Sequence, residues 1–220
     1  MDERAHDARS FQNSAASNWT VLLIGGVSGT GKSTVAKAIA RRHDADWLQV
    51  DDLRLALQWS DVRLPGEDAT EALHFFERTP EVWRLPAERL RDAMIAVGEA
   101  MTEAVAIVVG NHVVQGDPAV IEGDGILPSI VEHPDLQVHL ASGILKVVFL
   151  APGDQGELLR NMLDRGRGVP DRSEADLLRI AEMNWLYTAW LAREAAERSI
   201  PVVATQPLDS LAVRVSDVVL

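Results

Sequence analysis

The clearest chemical signal in the sequence is a glycine-rich stretch, Gly26-Val27-Ser28-Gly29-Thr30-Gly31-Lys32-Ser33. Its spacing is that of a phosphate-binding P-loop. In such a loop, successive backbone N–H groups surround phosphate oxygens, a lysine reaches the β and γ phosphates, and a hydroxyl can ligate Mg²⁺. The stretch therefore predicts a bound nucleotide with Mg²⁺, and the residues predicted to bind it are Gly26, Ser28, Gly29, Thr30, Gly31, Lys32, Ser33 and Thr34.

Two further segments place acidic side chains after apolar runs. Residues 47–50 predict a second strand that ends in Asp51 and Asp52. Residues 118–122 predict another strand, which ends near Glu122 and Asp124. Ligands in open α/β sheets bind beyond the carboxyl ends of the strands, so these acids are expected to face the same crevice as the P-loop. Either Glu122 or Asp124 could hold water on Mg²⁺, as a carboxylate at a strand end does in many P-loop enzymes.

An arginine-rich segment, residues 165–172, concentrates positive charge in an otherwise acidic chain. Its glycines and proline exclude a regular helix, which is typical of a loop. Arginines on a flexible loop can close over a nucleotide, neutralise charge on the transferring phosphoryl group and exclude water. We therefore predict a lid that carries Arg165, Arg167 and Arg172.

The remaining patterns supply the elements that must position these residues. Residues 20–24 predict a buried strand, and residues 33–43 predict a helix whose positive end faces the phosphates. Further strands are predicted at residues 145–150 and 201–205, and long helices at residues 86–111 and 173–198. The alternation of strand and helix predicts an α/β fold of about five parallel strands with helices on both faces.

The predicted domain organisation is a flexible tail at residues 1–19 and a single domain at residues 20–220. Within that domain, residues 53–86 are irregular and rich in aromatic side chains, which favours short helices that cover an acceptor site.

Composition narrows the class of partner. Lys and Arg number 21 against 33 Asp and Glu, which gives a formal net charge of −12 and disfavours a nucleic-acid partner. The chain has no cysteine, so it has neither disulfides nor thiolate metal sites. The polar N-terminus is unlike a signal peptide, and we expect a cytoplasmic protein with no membrane partner. The sequence leaves the oligomeric state open.

The P-loop, the acid pair at positions 51 and 52 and the arginine-rich segment together resemble the nucleoside-monophosphate-kinase-like group of P-loop small-molecule kinases. The loop from Gly25 to Thr34 and the strand and loop from Val120 to Pro128 are similar to those of 2-phosphoglycerate kinase-like proteins. The segment Val50-Asp51-Asp52-Leu53 is similar to the acceptor-site motif of chloramphenicol phosphotransferase-like proteins.

This resemblance implies a three-layer P-loop fold with strand order 2-3-1-4-5 and ATP as the donor. It implies that Lys32 and Ser33 serve ATP and Mg²⁺, and that Asp51 orients or deprotonates an acceptor hydroxyl. It also implies that Arg54, beside Asp52, binds an acidic acceptor and that Arg165 and Arg167 stabilise the γ-phosphoryl group. A second acid at position 52 departs from the pattern, and its charge would repel an anionic acceptor.

The function predicted from these observations is ATP-dependent transfer of a phosphoryl group to a hydroxyl of a small molecule. Sugar acids, phosphorylated metabolites, nucleosides and antibiotics all remain possible acceptors. Two alternatives stay open: a nucleotide-hydrolysing regulatory ATPase, and a toxin-like kinase of a cell-wall sugar nucleotide.

Overall fold

The structure is a computed structural model that describes residues 18–166 and 172–219. The predicted N-terminal tail lies outside the described residues except for its last two. Residues 167–171 of the predicted lid, including Arg167, also lie outside them. Arg165 is the last residue of a helix.

Five strands form one parallel sheet in the order β2-β3-β1-β4-β5, which confirms the predicted topology. The strands are β1 (Val21–Gly26), β2 (Asp46–Gln49), β3 (Ala119–Gly123), β4 (Leu145–Ala151) and β5 (Val202–Ala204). All residues of β1 and β3 are buried, as expected for central parallel strands whose two faces are both covered. The register places Ile24 of β1 opposite Glu122 of β3.

Eight α-helices surround the sheet in the described part of the chain. They are α1 (Lys32–His43), α2 (Val50–Trp59), α3 (Glu67–Arg78), α4 (Ala87–Gln115), α5 (Gln137–Ala141), α6 (Gln155–Arg165), α7 (Glu174–Glu197) and α8 (Leu211–Val219). The short helices expected in the aromatic-rich region are α2, α3 and a 3₁₀ turn, Val82–Arg84.

The sheet separates two apolar layers because neighbouring residues of a strand point to opposite faces. Leu22 and Ile24 of β1 pack with Val35 and Ile39 of α1 on one face. Leu23 belongs to the larger layer on the other face, whose helical members come mainly from α4 and α7. The P-loop therefore leaves β1 from the middle of the sheet, where both faces hold it rigidly.

One local prediction is wrong. The second strand ends at Gln49, and α2 begins at Val50, so Asp51 and Asp52 lie in the first turn of a helix rather than at a strand end. The positive end of the helix dipole favours carboxylates in this position. Both acids still follow β2 directly, but the helix turns their side chains in different directions.

Helix α4 is long and apolar enough to cross a membrane, as judged by its length and composition alone. Its buried residues, among them Leu90, Val97 and Met101, pack into the core. The length and composition of α4 are therefore also those of a helix that packs in the core.

Two helices in the last third of the chain, α6 and α7, begin at capping side chains. Asp154 caps α6 by accepting a hydrogen bond from the backbone N–H of Glu157. Ser173 caps α7 in a reciprocal arrangement with Asp176. These caps fix where the two helices begin on either side of the arginine-rich segment.

Candidate active site

The P-loop lies between β1 and the N-terminus of α1, as its motif predicts. Gly29 and Gly31 have φ angles of +89° and +80°, which side chains other than that of glycine rarely adopt. Lys32 is buried, and its Nζ donates to the carbonyl oxygen of Val27 at 2.8 Å. Thr30 Oγ1 donates to the same oxygen at 2.8 Å. The loop is thus held closed by its own side chains, with its remaining backbone N–H groups at the positive end of α1.

A cavity of about 430 Å³ opens on the outer side of the loop. The P-loop residues Gly29, Gly31, Lys32, Ser33 and Thr34 line one wall, and the other lining residues are Val35, Asn161, Asp164, Leu208 and Leu211. We call this space the nucleotide cavity because it contains the phosphate-binding residues of the motif.

Asn161 of α6 is a residue of this site that the sequence did not reveal. Its Nδ2 donates to the carbonyl oxygen of Gly29 at 2.8 Å, which ties α6 to the P-loop. No local motif identifies an asparagine that lies so far along the chain from the loop it supports.

Ser33 and Glu122, two of the three predicted magnesium ligands, lie next to each other. Ser33 Oγ donates to Glu122 Oε1 at 2.7 Å, and the Glu122 side chain is buried at the end of β3. One hydroxyl and one carboxylate, completed by phosphate oxygens and water, are a donor set that Mg²⁺ prefers. The described residues contain no cluster of three or more acidic, histidine or cysteine side chains that would hold a metal without a nucleotide. The residues present therefore fit a magnesium ion that arrives with a nucleotide.

Asp124, the other predicted magnesium ligand, interacts with Asp51 instead. The charge of Asp124 is the main cause that raises the pKa of Asp51 to about 7, followed by burial and a hydrogen bond between the two side chains. Arg54 Nη2 lies 3.6 Å from Asp51 Oδ1, and Arg54 and Lys32 both act to lower this pKa. Because the Asp51 side chain keeps 46% of its surface exposed, burial raises its pKa less than repulsion by Asp124 does. Asp51 is therefore partly protonated near neutral pH.

The loop that carries Asp124 is held in place by α7. Tyr187 is fully buried, and its hydroxyl donates to the backbone carbonyl oxygen of Asp124 at 2.8 Å. Burial, with the nearby charges of Asp124 and Glu99, raises the pKa of Tyr187 well above its ordinary value, so its hydroxyl keeps its proton for this bond. The sequence gave no sign of this contact between distant segments.

A second cavity, of about 280 Å³, contains Asp51, Asp124 and Arg54. We call it the acceptor cavity. Most of its wall is apolar and comes from α3, α4, α6, α7 and the 3₁₀ turn. The apolar side chains are Phe76, Trp83, Met94, Val97, Met162, Leu177, Ile180 and Met183. Val50 and Gly125 lie beside the acids, and the further polar residues are Ser28, Arg172 and Asn184. Phe76 and Trp83 stack with ring centroids 5.5 Å apart.

Two predicted nucleotide ligands lie in this second cavity. Ser28 of the P-loop lines the acceptor cavity rather than the nucleotide cavity. The guanidinium of Arg172 lies 4.2 Å from the centroid of the Trp83 ring, and partial burial lowers its pKa from the ordinary value. The P-loop therefore contributes to both cavities and forms a wall between them.

Asp52, predicted as an acceptor ligand, is not brought into the acceptor cavity. It is exposed, accepts a hydrogen bond from Gln49 Nε2 at 3.2 Å, and lines a separate groove beside β2. Consecutive residues at the start of a helix point about 100° apart, so only one of the two acids can face the cavity. Asp52 therefore does not line the cavity in which it was predicted to bind an acceptor.

Comparison with known proteins supports the predicted resemblance. A family model described as an AAA domain matches residues 21–102. The chain is 28% identical over 161 residues to a guanylate kinase of Streptomyces coelicolor, which covers 71% of this chain and 73% of that enzyme. It is 26% identical over 189 residues to a 2-phosphoglycerate kinase of Methanocaldococcus jannaschii, which covers 83% of this chain. The chain spans only 57% of the length of that second relative.

Solved structures that match include a gluconokinase from Sinorhizobium meliloti 1021, with 19% identity, coverage of 94% of this chain and 93% of that chain, and a TM-score of 0.47. A shikimate kinase from Acinetobacter baumannii in complex with shikimate matches with 16% identity, coverage of 90% and 92%, and a TM-score of 0.49. The sequence relatives confirm the resemblance to P-loop kinases that the motif and the acid pair predict.

Proposed function

From this resemblance to P-loop kinases, we propose that the protein transfers the γ-phosphoryl group of ATP to a hydroxyl of a small molecule. The observation that carries the proposal is that the P-loop lines both cavities. Lys32, Ser33 and their neighbours in the loop line the nucleotide cavity, whereas Ser28 of the same loop lines the acceptor cavity that contains Asp51. A phosphate held by the loop would lie between a donor site and an acceptor site, which is the arrangement that direct transfer requires.

The donor side needs positioning and positive charge rather than covalent chemistry. Backbone N–H groups of the loop and the Lys32 ammonium would bind the β and γ phosphates. Ser33 and Glu122 would hold Mg²⁺, which neutralises charge on the phosphate oxygens when it is bound. We keep Arg165, the last residue of α6, and Arg167 as proposed ligands of the transferring phosphoryl group, because α6 contributes Asn161 and Asp164 to the nucleotide cavity.

On the acceptor side, Asp51 would act as the base. The acceptor oxygen attacks the γ phosphorus, its proton passes to Asp51, and the bond from the γ phosphorus to the bridging oxygen breaks to release ADP. A base with a pKa of about 7 can both accept and return a proton at neutral pH. Arg54 Nη2 lies 3.6 Å from Asp51 Oδ1. Nη1 of the same arginine donates to Gln58 Oε1 at 3.1 Å. Gln58 in turn donates to the carbonyl oxygen of Leu73 at 2.6 Å, so Asp51 is supported by a chain of contacts that reaches α3.

The proposal is tested by ADP release in the presence of hydroxylated acceptors. The panel contains neutral alcohols together with GMP and 2-phosphoglycerate, the molecules that the names of the sequence relatives indicate. Acceptor-stimulated turnover should fall about 100- to 10,000-fold in Asp51→Ala, while the Kd for ATP stays unchanged. Asp52→Ala is the matched control, because it removes the neighbouring carboxylate without touching the acceptor cavity.

A regulatory ATPase gives a different result in the same assay. ADP release that no acceptor stimulates, and that Asp51→Ala leaves unchanged, would contradict the kinase and favour hydrolysis.

A further inference from the structure

Asn184 is a buried polar side chain in the part of the acceptor cavity wall that α7 forms. Only 3% of its surface is exposed, and the other α7 residues in this wall, Leu177, Ile180 and Met183, are apolar. No hydrogen bond is made to its side-chain amide by any residue in the described part of the chain. The hydrogen bond from Thr188 Oγ1, at 2.8 Å, reaches the backbone carbonyl oxygen of Asn184 instead.

Another buried amide in the same region shows the contrast. Gln58 is 6% exposed, and its side chain both donates to Leu73 and accepts from Arg54. Buried amides in native proteins are normally satisfied by a partner or by water. The Asn184 amide is not completely enclosed by protein, because it opens into the acceptor cavity. Because Asn184 faces the acceptor cavity, a molecule bound there is the natural partner for its amide.

The chemistry around Asn184 limits what this molecule can be. The apolar wall and the stacked rings of Phe76 and Trp83 suit a flat, mainly apolar body. A charged group beside Ile180 and Met183 would lose its hydration without compensation. Asp51 and Asp124 oppose the binding of an anion. Both guanidinium groups of the cavity already have partners: that of Arg54 contacts Asp51. That of Arg172 lies over the Trp83 ring and interacts with the charge of Asp176.

We propose that Asn184 is a specificity residue, and that the acceptor is a compact, uncharged alcohol with a flat apolar body and a second, neutral polar group that pairs with the Asn184 amide. An amide or carbonyl group fits best, since Nδ2 of Asn184 donates and its Oδ1 accepts. This inference rests on the proposed function and assigns the substrate class of the same site.

The test uses two alcohols of nearly the same shape as probes. In 4-(hydroxymethyl)benzamide the ring carries an amide, and in 4-isopropylbenzyl alcohol an apolar group of similar size replaces it. Their Kd values for the full chain are measured from tryptophan fluorescence without nucleotide. The wild type should bind the amide probe about 10- to 100-fold more tightly. Asn184→Leu should abolish this preference and keep the affinity for the isopropyl probe.

Thr188→Val is the matched control. It removes a buried hydroxyl one turn further along α7, outside the cavity, and should keep the preference. Asn184→Ala is a second variant in case Asn184→Leu does not fold, as judged by circular dichroism. It removes both the donor and the acceptor without adding bulk, so it should also lose the preference.

Two results would overturn the inference. One is that the wild type shows no preference for the amide probe, or that the Asn184 variants keep this preference. The other is tighter binding of GMP or 2-phosphoglycerate than of either alcohol. Because binding is measured without phosphoryl transfer, these results are separate from the Asp51 assay. A kinase that phosphorylates the hydroxyl of 2-phosphoglycerate independently of Asn184 would keep the proposed function and lose this inference, whereas an acceptor-independent ATPase would lose the proposed function.

Discussion

The two cavities on either side of the P-loop are built in opposite ways. The phosphate-binding part of the nucleotide cavity comes from one continuous stretch, Gly29 to Thr34, and relies on backbone N–H groups and a single lysine. The acceptor cavity takes side chains from five helices, a 3₁₀ turn and the loop after β3. A backbone site tolerates one type of ligand, phosphate, whereas a side-chain site can change its ligand with each substitution. The difference explains why the donor is evident from a motif and the acceptor is not.

The two sides also differ in their charged groups. The nucleotide cavity contains Lys32 and Asp164, whereas the acceptor cavity contains the Asp51 and Asp124 pair together with Arg54 and Arg172. The charge of Asp124 is the main cause of the raised pKa of Asp51. The following substitutions separate the contributions of the two sides.

Of these substitutions, Lys32→Met should have the largest effect, because it removes the ammonium group that we propose binds the β and γ phosphates. We expect kcat/KM for acceptor-stimulated ADP release to fall about 100- to 1,000-fold. Lys37→Met is the control, since Lys37 lies on the outer side of the same helix, with Nζ 4.1 Å from the Trp47 ring centroid. Equal losses in both variants would show that the effect comes from α1 as a whole.

Glu122→Gln should raise the Mg²⁺ concentration needed for half-maximal activity about 10- to 100-fold, because a neutral amide is a poorer partner for the metal and its water. The measurement is a magnesium titration at saturating ATP. Asp124→Asn should leave that concentration unchanged, since Asp124 faces Asp51. If Asp124→Asn changes the magnesium requirement more than Glu122→Gln does, the assignment of the two acids is reversed.

The pH dependence tests the acid pair. Asp51 must be ionised to accept a proton, so kcat/KM should rise with pH through about 7, the value to which its pKa is raised. Asp124→Asn removes the main cause of this raised pKa and should move the rise about one to two pH units lower. A profile that stays in place in Asp124→Asn would show that another group controls it.

Asn161→Ala should have the smallest effect. It removes the hydrogen bond to the Gly29 carbonyl oxygen, which contributes about 1 kcal/mol, so the Kd for ATP should rise about fivefold. Isothermal titration with ATP measures the change. The KM for an acceptor should stay the same, and a change in acceptor KM alone would mean that α6 acts on the other cavity.

Much of the donor side was predictable because it depends on local spacing. The motif fixes which backbone N–H groups surround a phosphate, and strand patterns with a parallel connection place Glu122 next to the loop. The structure brings Ser33 within 2.7 Å of Glu122, as that reasoning requires. The roles of Lys32, Arg165 and Arg167 remain predictions for the assays above.

The acceptor side was less predictable because its contacts join distant parts of the chain. Asp51 was predicted at the site, but its pairing with Asp124 depends on the turn after β3 and on the hydroxyl of Tyr187 in α7. Asp52 was predicted beside it and lies elsewhere, because a helix starts one residue earlier than the apolar run suggests. The residues next to Asn184 in the sequence form no motif, so the sequence alone shows only a polar residue on a long helix.

The sequence by itself therefore determined a nucleotide-binding loop, its parallel sheet and an acid near its edge. These features depend on residue spacing and on the burial of continuous apolar runs, both of which are local properties. Only the tertiary structure decided which acid faces the acceptor, which one accompanies Ser33, and which buried side chains line the acceptor cavity. Those outcomes depend on the direction of each side chain in the packed structure, because helices far apart in sequence meet around one small space.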